Sequence, residues 1–293
     1  DNEKFQSHSL TKLTFPQKQY QSKSTTPVDK DVCTLSQELL QQAEEFLEET
    51  EEKRQDGIKE LREWILNNPR IEKCRMDSNF LLRFLRYHKY AMKLVKESIE
   101  RYLILREGLY GHDWFTNLDI ERPNLQELLD KGFIVVLPNR SKKGEKIILY
   151  RCQMIDTKIP NIANISLALS TMICETLFDN EENQIRGFKY ILDIANIGFS
   201  HYFIYPFNTW FKIMKQIERT FAARHRGAYI INMNGALRFV ANLALRHMRE
   251  KMKNGIHFHS SIEDLDFIDK KDMPIEYGGE VQLEKLIGNN HFI

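Results

Sequence analysis

Two histidines near the C-terminal end have a spacing that could support metal chemistry. His257 and His259 alternate in a short apolar run, so in a β-strand their imidazoles would share one face. Two imidazoles with one further ligand can hold zinc. Glu263 and Asp264 are near in sequence, but no cysteine or third histidine stands at ligand spacing. Packing and hydrogen bonding are therefore the favoured role, and a metal-dependent enzyme is a remote alternative.

Other catalytic patterns are absent from the sequence. It contains neither a GxSxG nucleophile motif nor a P-loop, and Gly235 and Gly255 stand alone rather than in a GxGxxG loop. The acidic run at residues 179–183 is typical of a solvated loop, where neither carboxylate has a reason for the shifted pKa that acid–base catalysis requires. The sequence predicts no catalytic residue, no metal and no cofactor.

The segment after Pro206 separates large apolar side chains from basic ones. On a helix its apolar residues fill an arc of about 160°; they are Phe207, Trp210, Phe211, Ile213, Met214, Ile217 and Phe221. The opposite side carries Lys212, Lys215 and Arg219, and Arg224, His225 and Arg226 follow the helix. A crossover helix packed on a sheet has this pattern, and so has an interfacial helix whose rings enter the headgroup boundary while its basic side chains meet anionic lipid. Both interpretations stay open, and they are compatible if the helix moves.

Composition excludes several classes of protein. The 293-residue chain is 42% apolar and 28% charged, with a formal net charge of +1, whereas nucleic-acid-binding domains are usually strongly basic. Its four cysteines form no CxxC pair, which indicates free thiols in a reducing compartment and a cytoplasmic location. No apolar run approaches the roughly 20 residues that cross a bilayer, and the first residues are polar, unlike a signal peptide.

Hydrophobic periodicity divides the chain into two lobes. Residues 1–31 are polar and are expected to form a flexible tail, and residues 32–122 have helical periodicity throughout. Residues 123–281 alternate strand-like and helical patterns, which predicts an α/β lobe with a largely parallel five-stranded sheet. The predicted strands are 133–137, 146–152, 188–194, 229–233 and 256–259, and the crossover helices are 164–177, 207–221 and 237–252. Residues 282–293 are expected to be a C-terminal tail.

Three segments occur together in a recognisable order. They are FLLRFLRYHKY at residues 80–90, ILD at 191–193 and MPIEYGGE at 273–280. In this combination the chain resembles the CRAL-TRIO (Sec14-like) family over about residues 35–280, in the branch that contains α-tocopherol transfer protein, cellular retinaldehyde-binding protein and the clavesins. The resemblance implies a helical N-terminal domain and a CRAL-TRIO domain whose sheet and helices enclose an apolar cavity under a mobile gate helix.

The resemblance also implies a set of ligand-binding positions. These fall on Ser166, Ser170, Phe188, Tyr190, Leu192, Ile213, Ile217, Ala223 and His225, and gate or membrane contacts fall on Phe207, Trp210, Phe211 and Met214. The residues themselves agree with part of this set. Phe188, Tyr190 and Leu192 alternate and would share one strand face, and Ser166 and Ser170 are four apart and would share one helix face.

Basic residues that would contact anionic lipid or phosphoinositides in this family pattern fall on Arg86, Arg224, Arg226 and Lys251. One further basic position of the pattern is occupied by Gly255, so the chain departs from it there. The resemblance therefore implies a monomer that binds and transfers one small hydrophobic ligand, such as a tocopherol, retinoid, carotenoid or other terpenoid, and docks transiently on anionic membranes. The alternative is an adaptor in trafficking or signalling that senses phosphatidylinositol or another phospholipid.

Overall fold

The computed structural model describes residues 33–71, 74–110, 123–198, 200–204, 220–233 and 250–290, with residues 235, 238, 239, 241 and 246. The chain forms two compact units, Asp1–Ile104 and Leu105–Ile293. This boundary falls within one helix, Met92–Tyr110. The domain boundary expected at 122/123 remains a prediction. The tail expected at residues 1–31 lies outside the described residues.

The described part of the N-terminal unit is helical, as expected. Its helices are α1 (Gln37–Leu47), α2 (Glu51–Asn67), α3 (Ser78–Tyr87) and α4 (Met92–Tyr110), the last of which crosses the unit boundary. Ser36, Thr50 and Asp77 cap the first three, each accepting a hydrogen bond from the backbone N–H three residues later. Such caps satisfy donors that have no partner inside the helix, which fixes where each helix begins.

Helix α3 carries two arginines into the core of this unit. Arg83 is 1% exposed, and its guanidinium lies 4.8 to 5.1 Å from the ring centroids of Phe80, Phe84 and Tyr102. Arg86 is 0% exposed and donates to both carboxylate oxygens of Glu49, at 2.7 and 2.8 Å. The arginines of the FLLRFLR segment are therefore buried parts of the helical unit.

The C-terminal unit alternates helices and strands. Its helices are α5 (Pro123–Asp130), α6 (Ile162–Phe178), α7 (Glu181–Arg186), α8 (His201–Ile204), α9 (Glu250–Lys253) and α10 (Leu283–Asn290). Its strands are β1 (Ile134–Val136), β2 (Lys146–Arg151), β3 (Phe188–Asp193), β4 (His225–Ile231) and β5 (Ile256–Phe258). Short 3₁₀ turns occur at Cys152–Met154, Ile262–Asp264, Lys270–Asp272 and Ile275–Tyr277.

The strands form one sheet in the order β1-β2-β3-β4-β5. Strands β2 to β5 are parallel, and β1 is antiparallel to β2 because the short connection between them leaves no room for a crossover helix. The expected α/β lobe with a largely parallel five-stranded sheet is confirmed. Strand β4 begins at His225, earlier than predicted, and pairs with β3 through a bulge near Phe188.

Two predicted features differ from the structure. The acidic run 179–183 is not a loop throughout, because Asn180 caps helix α7 and Glu181 is buried at its start. The expected tail 282–293 is helix α10 over Leu283–Asn290, and its Leu283 and Leu286 belong to the sheet core. Both errors have one cause, since short helices offer too few turns for periodicity to be recognised.

Of the predicted helix 237–252, the structure describes its end, α9, and a few isolated residues.

Candidate functional site

The two faces of β3 carry different side chains. Phe188, Tyr190 and Leu192 alternate along the strand and share one face. Helix α6 lies on this face, where the rings of Phe178 and Phe188 are 5.1 Å apart. The Sγ atom of Cys174 on α6 is 3.7 Å from the hydroxyl of Tyr150, which pairs in register with Leu192. We call this side of the sheet the α6 face.

The α6 face and the opposite face differ in how completely they are covered. On the opposite face Leu149, Ile191 and Ile231 are 0% exposed and pack against residues of the C-terminal segment, including Phe267 and Leu286. On the α6 face, a row of mainly apolar residues across β3, β4 and β5 is only half-buried: Tyr190, Leu192, Ala228, Ile230, Ile256 and Phe258. Side chains of this kind can bury an apolar molecule against the sheet.

Helix α6 contributes a polar stripe to this face. Ser166 is buried and donates to the carbonyl of Ala163 at 3.0 Å, and Ser170 is half-buried and donates to the carbonyl of Ser166 at 2.7 Å. Cys174 continues the stripe one turn later. Burial raises the pKa of Tyr150 well above its usual value, with Cys174 adding to the effect, so the tyrosine keeps its proton.

Sequence reasoning missed Tyr150 and Cys174. The signals were present, because Cys174 is four residues after Ser170 and Tyr150 alternates with Ile148 along β2. What the sequence could not supply is the pairing of β2 with β3, which brings Tyr150 next to the predicted face.

Aromatic rings form a continuous row on the α6 face. Successive centroids are 5.1 to 6.4 Å apart, the range in which edge-to-face and offset contacts are favourable. In order, the rings belong to Phe133, Tyr150, Tyr190, Phe188, Phe178 and Phe221. The row extends from Phe133, just before β1, to Phe221, shortly before β4, and passes through the predicted positions Phe188 and Tyr190.

Tyr190 also contacts a predicted residue on the neighbouring strand. Its hydroxyl lies 2.8 Å from Nδ1 of His225, and the two rings are 5.5 Å apart. Burial, and secondarily Cys174, raises the pKa of Tyr190 well above its usual value. His225 itself is exposed, so this hydrogen bond lies where the α6 face meets the start of β4.

The predicted gate is described only at its end. Phe221 and Ala223 are each 4% exposed, which puts the predicted position Ala223 in the interior. The other predicted gate and gate-side ligand positions lie outside the described residues: Phe207, Trp210, Phe211, Ile213, Met214 and Ile217.

Two predicted basic residues flank His225 at the amino end of β4. Arg224 donates through Nε to the carbonyl of Gln184 at 3.1 Å, and Arg226 donates through Nε to the carbonyl of Arg186 at 2.9 Å. Arg226 is exposed and Arg224 is half-buried. Arg186 contributes its backbone carbonyl here, and its guanidinium forms an ion pair with Glu182 at 3.0 Å.

The other two predicted basic residues lie in α3 and α9. Arg86 is fully buried in the N-terminal unit against Glu49, so in this conformation it is not available to a lipid headgroup, and we leave it out of the anionic-lipid surface. Lys251 lies in α9, but its side chain is outside the described residues. The sequence alone could not distinguish Arg86 from an exposed arginine, because its carboxylate partner Glu49 is distant in the chain.

The histidine pair lies on the opposite face of the sheet. His257 pairs in register with Tyr229, and their rings stack at 4.8 Å, while His259 lies 5.9 Å from the same ring. Burial lowers the pKa of His257, and His259 and Lys189 add to the effect. Over the described part of the chain, no three His, Cys, Asp or Glu side chains form a group that could hold a metal ion.

Known proteins resemble the chain over most of its length. A family model described as CRAL/TRIO domain matches residues 130–279, and one described as Pinta-like, UBA domain matches residues 50–125. Clavesin-1 of Xenopus laevis is 26% identical over 247 residues, which cover 84% of this chain and 74% of that protein. Alpha-tocopherol transfer protein-like of Mus musculus is 27% identical over 255 residues, which cover 85% of this chain and 71% of that protein.

A solved structure supports the fold. The crystal structure of Sfh5 superimposes with a TM-score of 0.54 over 81% of this chain and 92% of that chain, at 11% sequence identity. The sheet is largely parallel and carries an apolar, half-buried row on its α6 face. Together with the matches above, these features define a lipid-binding protein of mixed α/β fold. The chain belongs to the CRAL/TRIO domain family, whose model matches half of its length. Members of this family bind and transfer lipids and are not enzymes.

Among the described residues, no helix combines the length and the apolar composition needed to cross a bilayer.

Proposed function

We propose that the chain binds one small hydrophobic lipid against the α6 face and carries it between membranes. The observation that carries this proposal is the half-buried row of Tyr190, Leu192, Ala228 and Ile230 on the α6 face. On the opposite face, Ile191 and Ile231 are covered by the protein's own side chains. The name of the tocopherol transfer protein-like relative supports a terpenoid-like ligand, such as a tocopherol, retinoid or carotenoid.

Transfer requires a route that avoids water. Burying about twenty methylene-sized groups yields on the order of 16 kcal/mol, which makes escape of the ligand into water very slow. The amphipathic segment 207–221 offers such a route if its aromatic residues enter the membrane surface and open the site there. The protein then works in the cytoplasm and resides on membranes only during exchange.

Docking is the role we assign to the basic residues at the amino end of β4. Arg224 and Arg226 are held there by backbone carbonyls, and each Lys or Arg near an anionic leaflet contributes about 1 kcal/mol. Such an attraction favours the membrane without making residence irreversible.

The test of transfer uses all-trans-retinol in phosphatidylcholine vesicles, with acceptor vesicles that carry a quencher. Trp210→Ala combined with Phe211→Ala is expected to slow protein-mediated transfer while leaving the amount of retinol bound at equilibrium unchanged. Phe46→Ala is the matched control, because Phe46 is an exposed ring of the helical unit, at 63% exposure. Equal transfer rates for the double variant and the parent would show that the predicted gate has no role in transfer. Failure of the parent to retain retinol or any terpenoid would contradict the proposed lipid-binding function.

The test of docking compares two double charge reversals of equal size. Arg224→Glu with Arg226→Glu is expected to weaken co-sedimentation with phosphatidylserine vesicles at least about 30-fold, since roughly 2 kcal/mol is lost, and to leave neutral vesicles unaffected. Lys270→Glu with Lys271→Glu, on an exposed turn, is the control. An equal effect of both reversals would mean that net charge, and not this surface, drives docking.

A second candidate is an adaptor that senses phosphatidylinositol or another phospholipid. The basic residues Arg224 and Arg226 at the amino end of β4 favour it, because a phospholipid has both acyl chains and an anionic headgroup. Native mass spectrometry of protein from its natural source separates the two candidates by the mass of the lipid that remains bound.

A further inference from the structure

The connection between β1 and β2, residues 138–145, lies at the same edge of the sheet as Arg224 and Arg226. Strands β2, β3 and β4 are parallel, so their amino ends share one edge, and β1 is antiparallel to β2, so its carboxyl end is there too. The amino ends of β2 and β4 are two strand spacings apart, about 10 Å. We call residues 138–145 the β1–β2 turn.

Hydrogen bonds hold the β1–β2 turn in place. The backbone N–H of Ser141 donates to the carbonyl of Glu145 at 2.9 Å, and the Ser141 hydroxyl bonds the buried Glu145 carboxylate. The backbone N–H of Lys142 donates to the carbonyl of Phe267 at 2.9 Å. Gly144 has a φ of 89°, which glycine adopts without strain. The turn is therefore a fixed part of this edge.

The side chain and backbone of Arg186 connect the β1–β2 turn to the amino end of β4. Gly144 lies against this side chain so closely that a Cβ there would be 2.5 Å from Cδ of Arg186. The carbonyl of the same arginine accepts the hydrogen bond from Nε of Arg226 at 2.9 Å. The protein surface is thus continuous from the turn to Arg226.

The β1–β2 turn presents two basic side chains to solvent. Lys142 and Lys143 are exposed, and neither forms an ion pair with any residue that the structure describes. Their basic neighbours are engaged, since Arg140 pairs with Glu182 at 2.9 Å and Lys146 donates to two backbone carbonyls. The charges of Lys142 and Lys143 are therefore available to an external anion.

The distribution of charge along this edge favours a broad anionic partner. Residues 140–146, 181–187 and 224–226 together contain seven Lys or Arg and three Glu. Exposed lysines are flexible point charges that do not impose one geometry on an anion. Spread over about 10 Å, which is close to the Debye length at physiological salt, they act on the same charged surface. A leaflet that contains many anionic headgroups fits this arrangement.

We propose that the β1–β2 turn extends the docking surface of Arg224 and Arg226, and that this surface responds to the charge density of an anionic leaflet rather than to one headgroup. The inference rests on the proposed function and adds contact residues and a mode of recognition to its docking step. A membrane is favoured over an acidic protein because the surface is continuous with the residues proposed to meet the bilayer during ligand exchange.

The first experiment measures co-sedimentation of the full chain with phosphatidylcholine vesicles that contain phosphatidylserine. Lys142→Glu combined with Lys143→Glu is expected to weaken binding about 30-fold, through loss of the attraction of two lysines to the leaflet. Lys270→Glu combined with Lys271→Glu makes the same change in net charge on a different exposed turn and should have a much smaller effect. Both variants should keep the parental unfolding temperature, because all four side chains are exposed.

The second experiment tests the mode of recognition. Phosphatidylglycerol replaces phosphatidylserine at the same mole fraction, so the charge is kept and the headgroup changes. The parent should bind both kinds of vesicle with similar affinity. Added salt should weaken binding of the parent more than binding of the Lys142→Glu, Lys143→Glu variant, since screening acts on the charges that the variant has lost. A defect in folding would not change this salt dependence.

The outcomes distinguish the inference from the function beneath it. Equal effects of the two reversals would overturn the role of the β1–β2 turn, even if Arg224→Glu with Arg226→Glu abolishes docking. A preference of about tenfold or more for one headgroup at equal charge would overturn recognition by charge density. A parent that does not bind anionic vesicles would overturn both the inference and the docking role, whereas retention of retinol by that parent would leave lipid binding supported.

Discussion

The hydroxyl of Tyr277 donates a hydrogen bond of 2.6 Å to the carboxylate of Asp193. Asp193 ends β3 and is 2% exposed, and it also accepts from Asn232, Gln153 and the backbone of Ala195. Two of the three segments on which the family resemblance was based are therefore in direct contact. The contact holds the C-terminal segment at the end of β3, on the side of the sheet opposite the α6 face.

Asp193→Asn should lower the free energy of unfolding by about 2–3 kcal/mol, since hydrogen bonds to a charged group are lost and the new amide N–H group faces existing donors. Urea denaturation followed by circular dichroism measures the change. Asp266→Asn, at an exposed position, is the matched control and should stay within about 0.5 kcal/mol of the parent. Similar stabilities of the two variants would show that the Asp193 network contributes little.

Glu49→Gln should destabilise the protein by about 3–5 kcal/mol, because it leaves the charge of Arg86 buried without its carboxylate. Glu48→Gln is a control one residue away, since its ion pair with Lys53 is exposed and such pairs contribute less than about 1 kcal/mol. The combined variant Glu49→Leu with Arg86→Met should be more stable than Glu49→Gln. A combined variant less stable than the single one would contradict this account.

Leu286→Ala tests whether α10 belongs to the fold. Leu286 is 2% exposed in the sheet core, so truncation should cost about 2–4 kcal/mol. Leu66→Ala removes the same atoms from a side chain that is 71% exposed and should cost less than about 1 kcal/mol. Thermal and urea unfolding measure both changes. If Leu286→Ala leaves the free energy of unfolding unchanged, residues 282–293 do not contribute to the stability of the fold.

Because the thiol of Cys174 is buried, we expect the protein to lose stability in alkali. Burial raises its pKa from 9.0 to about 12, so between pH 9 and 12 the unfolded chain releases a proton that the folded chain retains. The free energy of unfolding therefore falls with rising pH, by about 1.4 kcal/mol per pH unit for this thiol at most. Cys174→Ser, which has no ionisable thiol, should show a shallower decline in that window. Parallel pH profiles for parent and variant would refute the shifted ionisation.

Much of the architecture was encoded locally. The alternation of Phe188, Tyr190 and Leu192 assigned them to one face because neighbouring side chains of a strand point to opposite sides. The helical repeat before residue 110 and the strand-like runs after residue 123 predicted two kinds of structure, and both are present. Helix caps are equally local, since Asp77 caps α3 through the backbone N–H of a residue only three positions away.

Contacts between distant residues were decided by the tertiary structure. Nothing local distinguishes Arg86 from Arg226, yet one is buried against Glu49 and the other is exposed. Tyr150 joins the α6 face only because β2 pairs with β3, and the Tyr190–His225 bond needs β4 to pair with β3. Periodicity determines which residues share a face of one element, whereas packing between elements determines which faces meet and which charges lose their water.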